Sequence, residues 1–207
     1  MAGMLFIVSG PSGTGKGTMC KKVVAKTGIE LAISATTRMP REGEVHEKDY
    51  FFLSENEFLK MVDEEGFLEH VENFGSRYGT PRHYVEKKLQ EGKDVILEID
   101  IQGAEKVKRI FPESICIFVL PPTLHELKQR IDARGTENQE SISLRMGKAI
   151  HEIANIVYYD YYIINDNLED AVEEMISIIR AERCRIKDSA EEILGRYKEE
   201  HRALSGD

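Results

Sequence analysis

The chain reads as an α/β protein built on an open, parallel sheet flanked by helices. Three observations predict this. First, short apolar runs alternate with helical patterns along most of its 207 residues. Second, runs such as Val95-Ile96-Leu97-Glu98-Ile99-Asp100 and Ile115-Cys116-Ile117-Phe118-Val119-Leu120 are too continuously apolar for a half-solvated sheet and suit strands covered on both faces. Third, Met4-Leu5-Phe6-Ile7-Val8 feeds directly into Gly10-Pro11-Ser12-Gly13-Thr14-Gly15-Lys16-Gly17-Thr18, a glycine-rich turn that opens a helical pattern.

Each element follows from local signals. Residues 4–8 form a strand, and residues 19–26 complete the helix that Thr27-Gly28 ends. Residues 31–34 make a short strand. Residues 35–48 are polar and basic, carry Pro40 and Gly43, and read as a loop, and residues 50–53 are β-like. Ser54 and Glu57 have capping-box spacing for a helix to about residue 64. Gly66 breaks it, and Phe67-Leu68-Glu69-His70-Val71 alternates like a half-buried strand. Residues 75–81 are turn-rich, and residues 84–91 are helical up to Gly92. A strand at 95–100, a helix to about 110, a strand at 115–120 and a helix at 124–133 closed by Gly135 follow. Thr136 and Gln139 set up a cap for a helix to about 156. Residues 161–164 are the last strand. Residues 168–185 form an amphipathic helix with apolar positions at 168, 172, 175, 176 and 179, and the charged tail from 186 reads as a solvated helix. The stretch 34–82 thus interrupts one α/β domain with a β-rich insertion.

Hydrophobic residues make up 41% of the chain, enough to build a core, and the net charge is −9. That balance argues against a general nucleic-acid or anionic-membrane binder, so a phosphate site must concentrate its own cations locally. Cys20, Cys116 and Cys184 are far apart without CxxC spacing, which suits a reducing compartment and no disulfide framework. The six histidines are scattered and suggest no metal cage. The apolar run at the amino end is too short for a membrane span and runs into the glycine-rich turn, so it reads as a strand rather than a signal peptide.

The glycine-rich turn has the strand–loop–helix context of a phosphate-binding P-loop. Its glycines let successive backbone N–H groups point inward at phosphate oxygens, and the new helix adds the positive end of its dipole. Lys16 reaches the β- and γ-phosphates. Gly17 departs from the motif, because Ser or Thr usually stands there on Mg²⁺, and Thr18 follows. In Ser34-Ala35-Thr36-Thr37-Arg38-Met39-Pro40-Arg41, two guanidinium groups three residues apart suit a phosphate monoester, although exposed loop arginines are common. Glu98 and Asp100, two apart on one strand, share a face at its carboxyl end, where open α/β sheets bind ligands. Glu69 taken alone reads rather as an outward residue of an amphipathic strand. Tyr158, Tyr159, Tyr161 and Tyr162 read as core and sheet edge.

Taken in order, these segments resemble the guanylate kinase family. The resemblance is carried by the P-loop, Ser34-Ala35-Thr36-Thr37-Arg38, Pro40-Arg41, Gly43-Glu44, Asp49-Tyr50, Phe67-Leu68-Glu69, Tyr78-Gly79-Thr80, and Ile99-Asp100 with Gln102-Gly103. Pro121-Pro122, Arg134-Gly135-Thr136-Glu137, Arg145 and Ile164-Asn165-Asp166 extend it, collinear over about residues 4–185. It implies a P-loop NTPase-type core from about residues 1–33, 83–124 and 146–190, a GMP-binding region at 34–82, a helical lid at 125–145 and a tail at 186–207. It further implies Mg²⁺-dependent transfer of the ATP γ-phosphoryl group to GMP, in the purine nucleotide metabolism of the cytoplasm. The partners would be ATP and GMP, without nucleic acid or membrane, on a monomer or small homo-oligomer.

Residue by residue, the resemblance implies that the loop residues Gly10 to Thr18 hold ATP, with Asn165 near its base. Glu69 would accept from guanine N1–H and N2–H₂, with Ser34 and Thr80 as hydroxyl partners of the base. Arg38, Arg41, Tyr50 and Tyr78 would hold the GMP phosphate, with Asp100 facing the same side. Lys16, Arg41, Arg134 and Arg145 would converge on the migrating phosphoryl group. Arg130 is either a further lid arginine or a solvated helix residue. No firm direct metal ligand emerges. Glu98 stands where the family commonly has Asp, so Thr18 and Glu98 would act on the cation through water. Glu47, where the family often has glycine, reads as loop variation. Two rivals remain: another nucleoside monophosphate kinase, since Lys16-Gly17-Thr18 resembles adenylate kinases, and a non-catalytic guanylate-kinase-like phosphopeptide-binding module.

Overall fold

A computed structural model of the chain describes residues 3–73, 75–132, 139–186 and 190–205. Strand β1 (Leu5–Ser9) leads through the glycine-rich loop into helix α1 (Lys16–Thr27), which ends at left-handed Gly28. A two-residue strand β2 (Glu30–Leu31) follows. The insertion then contributes β3 (Ala35–Thr36), β4 (Phe51–Phe52), α2 (Glu55–Asp63), β5 (Phe67–Asn73) and β6 (Ser76–Pro81). The chain returns through α3 (Arg82–Gln90), β7 (Val95–Glu98), α4 (Ile101–Ile110) and β8 (Ile115–Leu120). Helices α5 (Leu124–Asp132) and α6 (Gln139–Ile153) come next, with one 3₁₀ turn, Ala154–Tyr158. Strand β9 (Tyr161–Ile164), α7 (Leu168–Arg183) and α8 (Ala190–Ser205) complete the described chain.

The main sheet has order β2-β7-β1-β8-β9 and every pairing in it is parallel. Its strands alternate between two helical layers, as a period of two requires. Phe6, Val8, Ile96, Ile117 and Val119 pack toward α1 and α7 with Met19, Val23, Met175 and Ile176. Leu5, Ile7, Val95, Leu97 and Cys116 pack the other way, with Val85 of α3 and Ala104 and Val107 of α4. The insertion builds a second sheet, β4-β3-β6-β5, over a satellite core of Ala35, Phe58 and Phe67. Leu127, Ile131 and Ala149 form a third cluster between α5 and α6. Helix α8 buries none of its described side chains, the solvated helix that its charge pattern predicts. Among the described residues, no helix is long and apolar enough to cross a membrane.

Four local expectations need correction. The expected strand at 31–34 is split: β2 pairs with β7 in the main sheet, whereas β3 pairs with β4 and β6 in the second. The turn-rich segment 75–81 is mostly strand, because β6 pairs antiparallel with β5 and β3. Its turn residue Gly79 serves packing, since a Cβ there would meet Phe67 Cδ1 at 2.8 Å. Residues 67–71 do not alternate cleanly. A bulge between Phe67 and Glu69 turns Phe67 into the satellite core and Leu68 into the main one. Finally, Glu98 and Asp100 do not share a strand face. Strand β7 ends at Glu98, and Asp100 is the N-cap of α4, its Oδ1 accepting the Gly103 N–H at 2.8 Å. An aspartate at a strand-to-helix junction captures an unpaired helix N–H, and that local bond wins over the strand pattern.

Candidate active site

The carboxyl ends of β7, β1 and β8 converge on the loop between β1 and α1. Gly10 has φ 141°, and a Cβ there would lie 2.3 Å from the Val119 carbonyl oxygen of β8, so glycine alone fits. Gly15 is left-handed and would meet Asn165 Nδ2 at 2.5 Å. The loop is closed on itself. Thr14 Oγ1 donates to the Pro11 carbonyl at 3.0 Å, and Lys16 Nζ donates to the carbonyls of Gly10 and Pro11 at 2.6 and 2.9 Å. Asn165 is buried at the end of β9, and its Nδ2 donates to the Thr14 carbonyl at 2.7 Å. The structure therefore places Asn165 beneath the loop as a brace. Arg130 of α5 joins it, with Nη1 donating to the Asn165 carbonyl at 2.9 Å. Ser12 and Thr18 are exposed at the loop and the first turn of α1.

Glu98 is half-buried beside this loop, and a Cβ on Gly17 would lie 3.1 Å from its Oε2. Its charge also reaches across to the insertion, where burial first, and then Glu98 and Tyr78, raise the Tyr50 hydroxyl above its ordinary value. A second tie joins the insertion to α1: Lys21 Nζ donates to Asp49 Oδ1 at 3.0 Å. The Val45 N–H and then Lys21 hold the Asp49 carboxyl below its usual range.

The insertion gathers the predicted acceptor-side residues. The Tyr50 and Tyr78 rings meet edge to face at 6.3 Å, and the Arg38 guanidinium lies 5.4 Å from the Tyr50 ring centroid. Arg38 is held by the Glu44 carboxylate at 2.9 Å, and the same carboxylate accepts the Arg41 N–H at 2.7 Å. The Arg41 side chain is exposed, and Ser34 is half-buried with its carbonyl accepting from Phe51 N–H.

Glu69 is the most unusual acid here. It is only 5% exposed, and Thr80 Oγ1 donates to its Oε1 at 2.7 Å. Its Oε2 lies against Gly103, where a Cβ would stand at 2.8 Å, and Asp100 Oδ1 lies against the same glycine. Glu69, from β5, and Asp100, the N-cap residue of α4, therefore converge on the first turn of that helix. Burial pushes the Glu69 carboxyl up to about 7, against the Thr80 hydroxyl bond that pulls it down, and the Asp100 charge adds to the rise. A carboxylate that burial has stripped of water, with one donor in place, is poised for a ligand that brings further N–H donors.

From the other side, α6 presents Arg145, half-buried, and Glu152. Burial raises the Glu152 carboxyl, while Lys148 and then Lys16 pull it down, so this face of α6 looks into the same cleft. Arg134 lies outside the described residues, as does Thr136. Sequence reasoning missed Glu152, and it missed the buried hydroxyls of Ser9 and Tyr159, which interact with each other. Only the helical spacing of Glu152 from Arg145 and Lys148 hinted at it. Of the tyrosines expected in the core or at the sheet edge, Tyr159 stacks its edge on Phe118 at 4.8 Å, while Tyr158 and Tyr162 are exposed.

Comparison with known proteins agrees with this geometry. The family model for guanylate kinase matches residues 2–182. A guanylate kinase of Caldanaerobacter subterraneus subsp. tengcongensis is 52% identical over 185 residues, covering 89% of this chain and 90% of that protein. One from Clostridium perfringens (strain 13 / Type A) is 50% identical over 199 residues, covering 96% and 92%. The crystal structure of guanylate kinase from Anaplasma phagocytophilum superimposes with a TM-score of 0.78 at 31% identity, covering 93% of this chain and 94% of that one. With the loop, the buried carboxylate and the family match over most of its length, the chain belongs to the guanylate kinase family.

Proposed function

We propose that the chain transfers the γ-phosphoryl group of ATP to GMP, giving ADP and GDP. The observation that carries this reading is Glu69, a buried carboxylate with the Thr80 hydroxyl on one oxygen, in the insertion beyond a closed phosphate-binding loop. Guanine offers two adjacent N–H donors, at N1 and N2, which one carboxylate accepts together. Adenine presents a lone pair at N1 and leaves the carboxylate unsatisfied. Sites built on buried polar groups reject a mismatched ligand by about 10⁴ or more.

Phosphoryl transfer asks for placement, exclusion of water and neutralised charge. The loop N–H groups and Lys16 bind the donor phosphates, so Lys16 Nζ exchanges its two carbonyl acceptors for phosphate oxygens. Arg38, Tyr50 and Tyr78 hold the acceptor phosphate, with Ser34 and Asp100 completing the acceptor side. Arg41 and Arg145, with Arg134 by resemblance, turn toward the migrating group. No general base is required, because the attacking phosphate oxygen is already anionic. The donor set at the loop fits Mg²⁺: Glu98 supplies hard carboxylate oxygen beside Gly17, with Thr18 nearby on the first turn of α1. When bound with ATP, Mg²⁺ neutralises charge on the phosphates. In this reading residues 34–82 are the acceptor-binding region and residues 125–145 the lid, and their approach to the loop excludes water.

The test is ADP release with GMP, AMP, CMP and UMP offered as acceptors. GMP is expected to be preferred by orders of magnitude. Equal or faster turnover with AMP would overturn the reading.

A further inference from the structure

We propose that Arg130 is a positioning residue of the donor site: it fixes Asn165, and Asn165 fixes the phosphate loop, so the guanidinium shapes the site without touching the nucleotide. The inference rests on the donor-site part of the reading above and is independent of which acceptor is used.

The sequence leaves Arg130 as either a further lid arginine or a solvated helix residue. Its surroundings suit neither role. The side chain is only 26% exposed, and both arms of the guanidinium are engaged. Nη1 donates to the Asn165 carbonyl at 2.9 Å, and Nη2 donates to Glu126 Oε1 at 3.3 Å, one turn back on α5. A planar fork spans two acceptors in this way, where a lysine offers a single charged centre. The helix that carries it is itself anchored. Leu127 and Ile131 are buried, and a Cβ on Gly13 would stand 3.1 Å from a side-chain atom of each. Helix α5 therefore packs directly on the loop, and carrying Arg130 away on it would open that contact.

Asn165 is held from three sides. Its N–H donates to the Leu120 carbonyl at the end of β8 at 2.9 Å, its carbonyl accepts from Arg130, and its Nδ2 donates to the Thr14 carbonyl at 2.7 Å. The residue is 5% exposed, so each of these groups is costly to leave unpaired. The bond to Thr14 sets the loop. The peptide between Thr14 and Gly15 is planar and trans, so its carbonyl and its N–H point in opposite directions. With the carbonyl turned onto Asn165 beneath the loop, the Gly15 N–H faces the other way, toward the phosphate side. Loss of the guanidinium would strand the Asn165 carbonyl, release the amide from Thr14 and free that N–H to turn away.

The test is a double-mutant cycle of Arg130→Met and Asn165→Ala. Methionine keeps an unbranched stem and removes the donors. The readouts are melting temperature and calorimetric affinity for two probes: inorganic tripolyphosphate, which has no base, and the non-hydrolysable analogue β,γ-imido-ATP. Arg130→Met is expected to weaken both probes by the same factor, about tenfold. In the Asn165→Ala background, where the amide to be positioned is gone, it is expected to change either affinity by less than about twofold. A loss for β,γ-imido-ATP alone would overturn the proposal in favour of contact with the base. A loss that persists undiminished beside Asn165→Ala would overturn it in favour of contact with the phosphates. A lower melting temperature with unchanged affinities would also overturn it, since that is what a purely structural arginine gives. Should Arg130→Met not fold, Arg130→Lys replaces it in the same cycle, with an expected loss of about threefold that disappears beside Asn165→Ala and the same overturning results. Neither probe contains GMP. A wild type that binds both probes but fails to phosphorylate GMP sinks the acceptor assignment without touching this result, and one that binds neither sinks the donor-site reading and this proposal with it.

Discussion

The loop between β1 and α1 is satisfied within itself, whereas the pocket around Glu69 is not. In the loop, Lys16 and Thr14 already donate to backbone carbonyls, and Asn165 braces the turn from below. Backbone geometry sets the loop, and in the proposed reading a phosphate replaces the loop's own acceptors. In the insertion, a carboxylate is buried with one hydroxyl donor and a second acid nearby, so the ligand-free site is held at a cost. The contrast assigns labour. In the proposed reading, the pre-formed loop accepts any phosphate chain of the right shape, and discrimination resides where the wrong ligand would leave a buried charge unpaired.

The largest expected effects separate the two regions. Lys16→Ala should lower kcat by about 10²–10³ through loss of charge stabilisation at the donor phosphates, while calorimetric GMP affinity stays unchanged. Glu69→Gln should do the reverse. Steady-state assays should find kcat/KM for GMP reduced by about 10² or more, with binding of the ATP analogue unaffected. If Lys16→Ala weakened GMP and Glu69→Gln weakened ATP equally, the division between regions would be lost.

The same glutamine should stabilise the empty protein in a pH-dependent way. The Glu69 carboxyl titrates near 7 in the fold, above its ordinary 4.5. Its contribution to stability is therefore present below about 4.5 and is lost as pH rises through about 7. The difference corresponds to roughly 3 kcal/mol. Melting curves should find Glu69→Gln close to wild type at pH 5 and more stable at pH 8. A smaller change follows from Thr80→Val. Removing a hydrogen bond to a charged group should weaken GMP binding at pH 8 by about tenfold and move the Glu69 titration upward. The smallest belongs to the loop. Asn165→Ala removes one brace and should lower stability by about 1 kcal/mol in denaturant titrations, with donor affinity reduced more than acceptor affinity.

The two regions also differ in how far the sequence disclosed them. The loop was legible because its parts are contiguous. Glycines at fixed offsets, a preceding apolar strand and a following helix state both its shape and its ligand class. The Ser54–Glu57 capping box was equally local, and both of its bonds are present. The pocket was not local. Glu69, Thr80, Asp100 and Gly103 meet only because β5 pairs with β6 and packs on α4. Nothing in Phe67-Leu68-Glu69 distinguishes a base-reading acid from an outward one, so its role came from resemblance alone. Strand β6 was hidden because Gly79 and Pro81 read as turn residues, and because one of its two partners, β3, lies far back in the chain. Asp100 was misplaced by extending an apolar period two residues too far. The sequence also contained Gly17 and Glu98 as separate oddities, and only the fold sets Glu98 Oε2 3.1 Å from where a Cβ at position 17 would lie.

The most direct measurement of the contrast is the affinity for GMP as a function of pH. A guanine that donates to Glu69 binds only its ionised form, so complex formation near pH 7 must release the proton the empty pocket holds. Calorimetry in two buffers of different ionisation enthalpy should detect a fractional proton released per GMP at pH 7, with affinity falling toward tenfold per unit at lower pH. The part of that slope due to the pocket should vanish in Glu69→Gln. Proton uptake on binding, or the same pH slope in wild type and Glu69→Gln, would contradict the assignment of Glu69 as the group that reads the base.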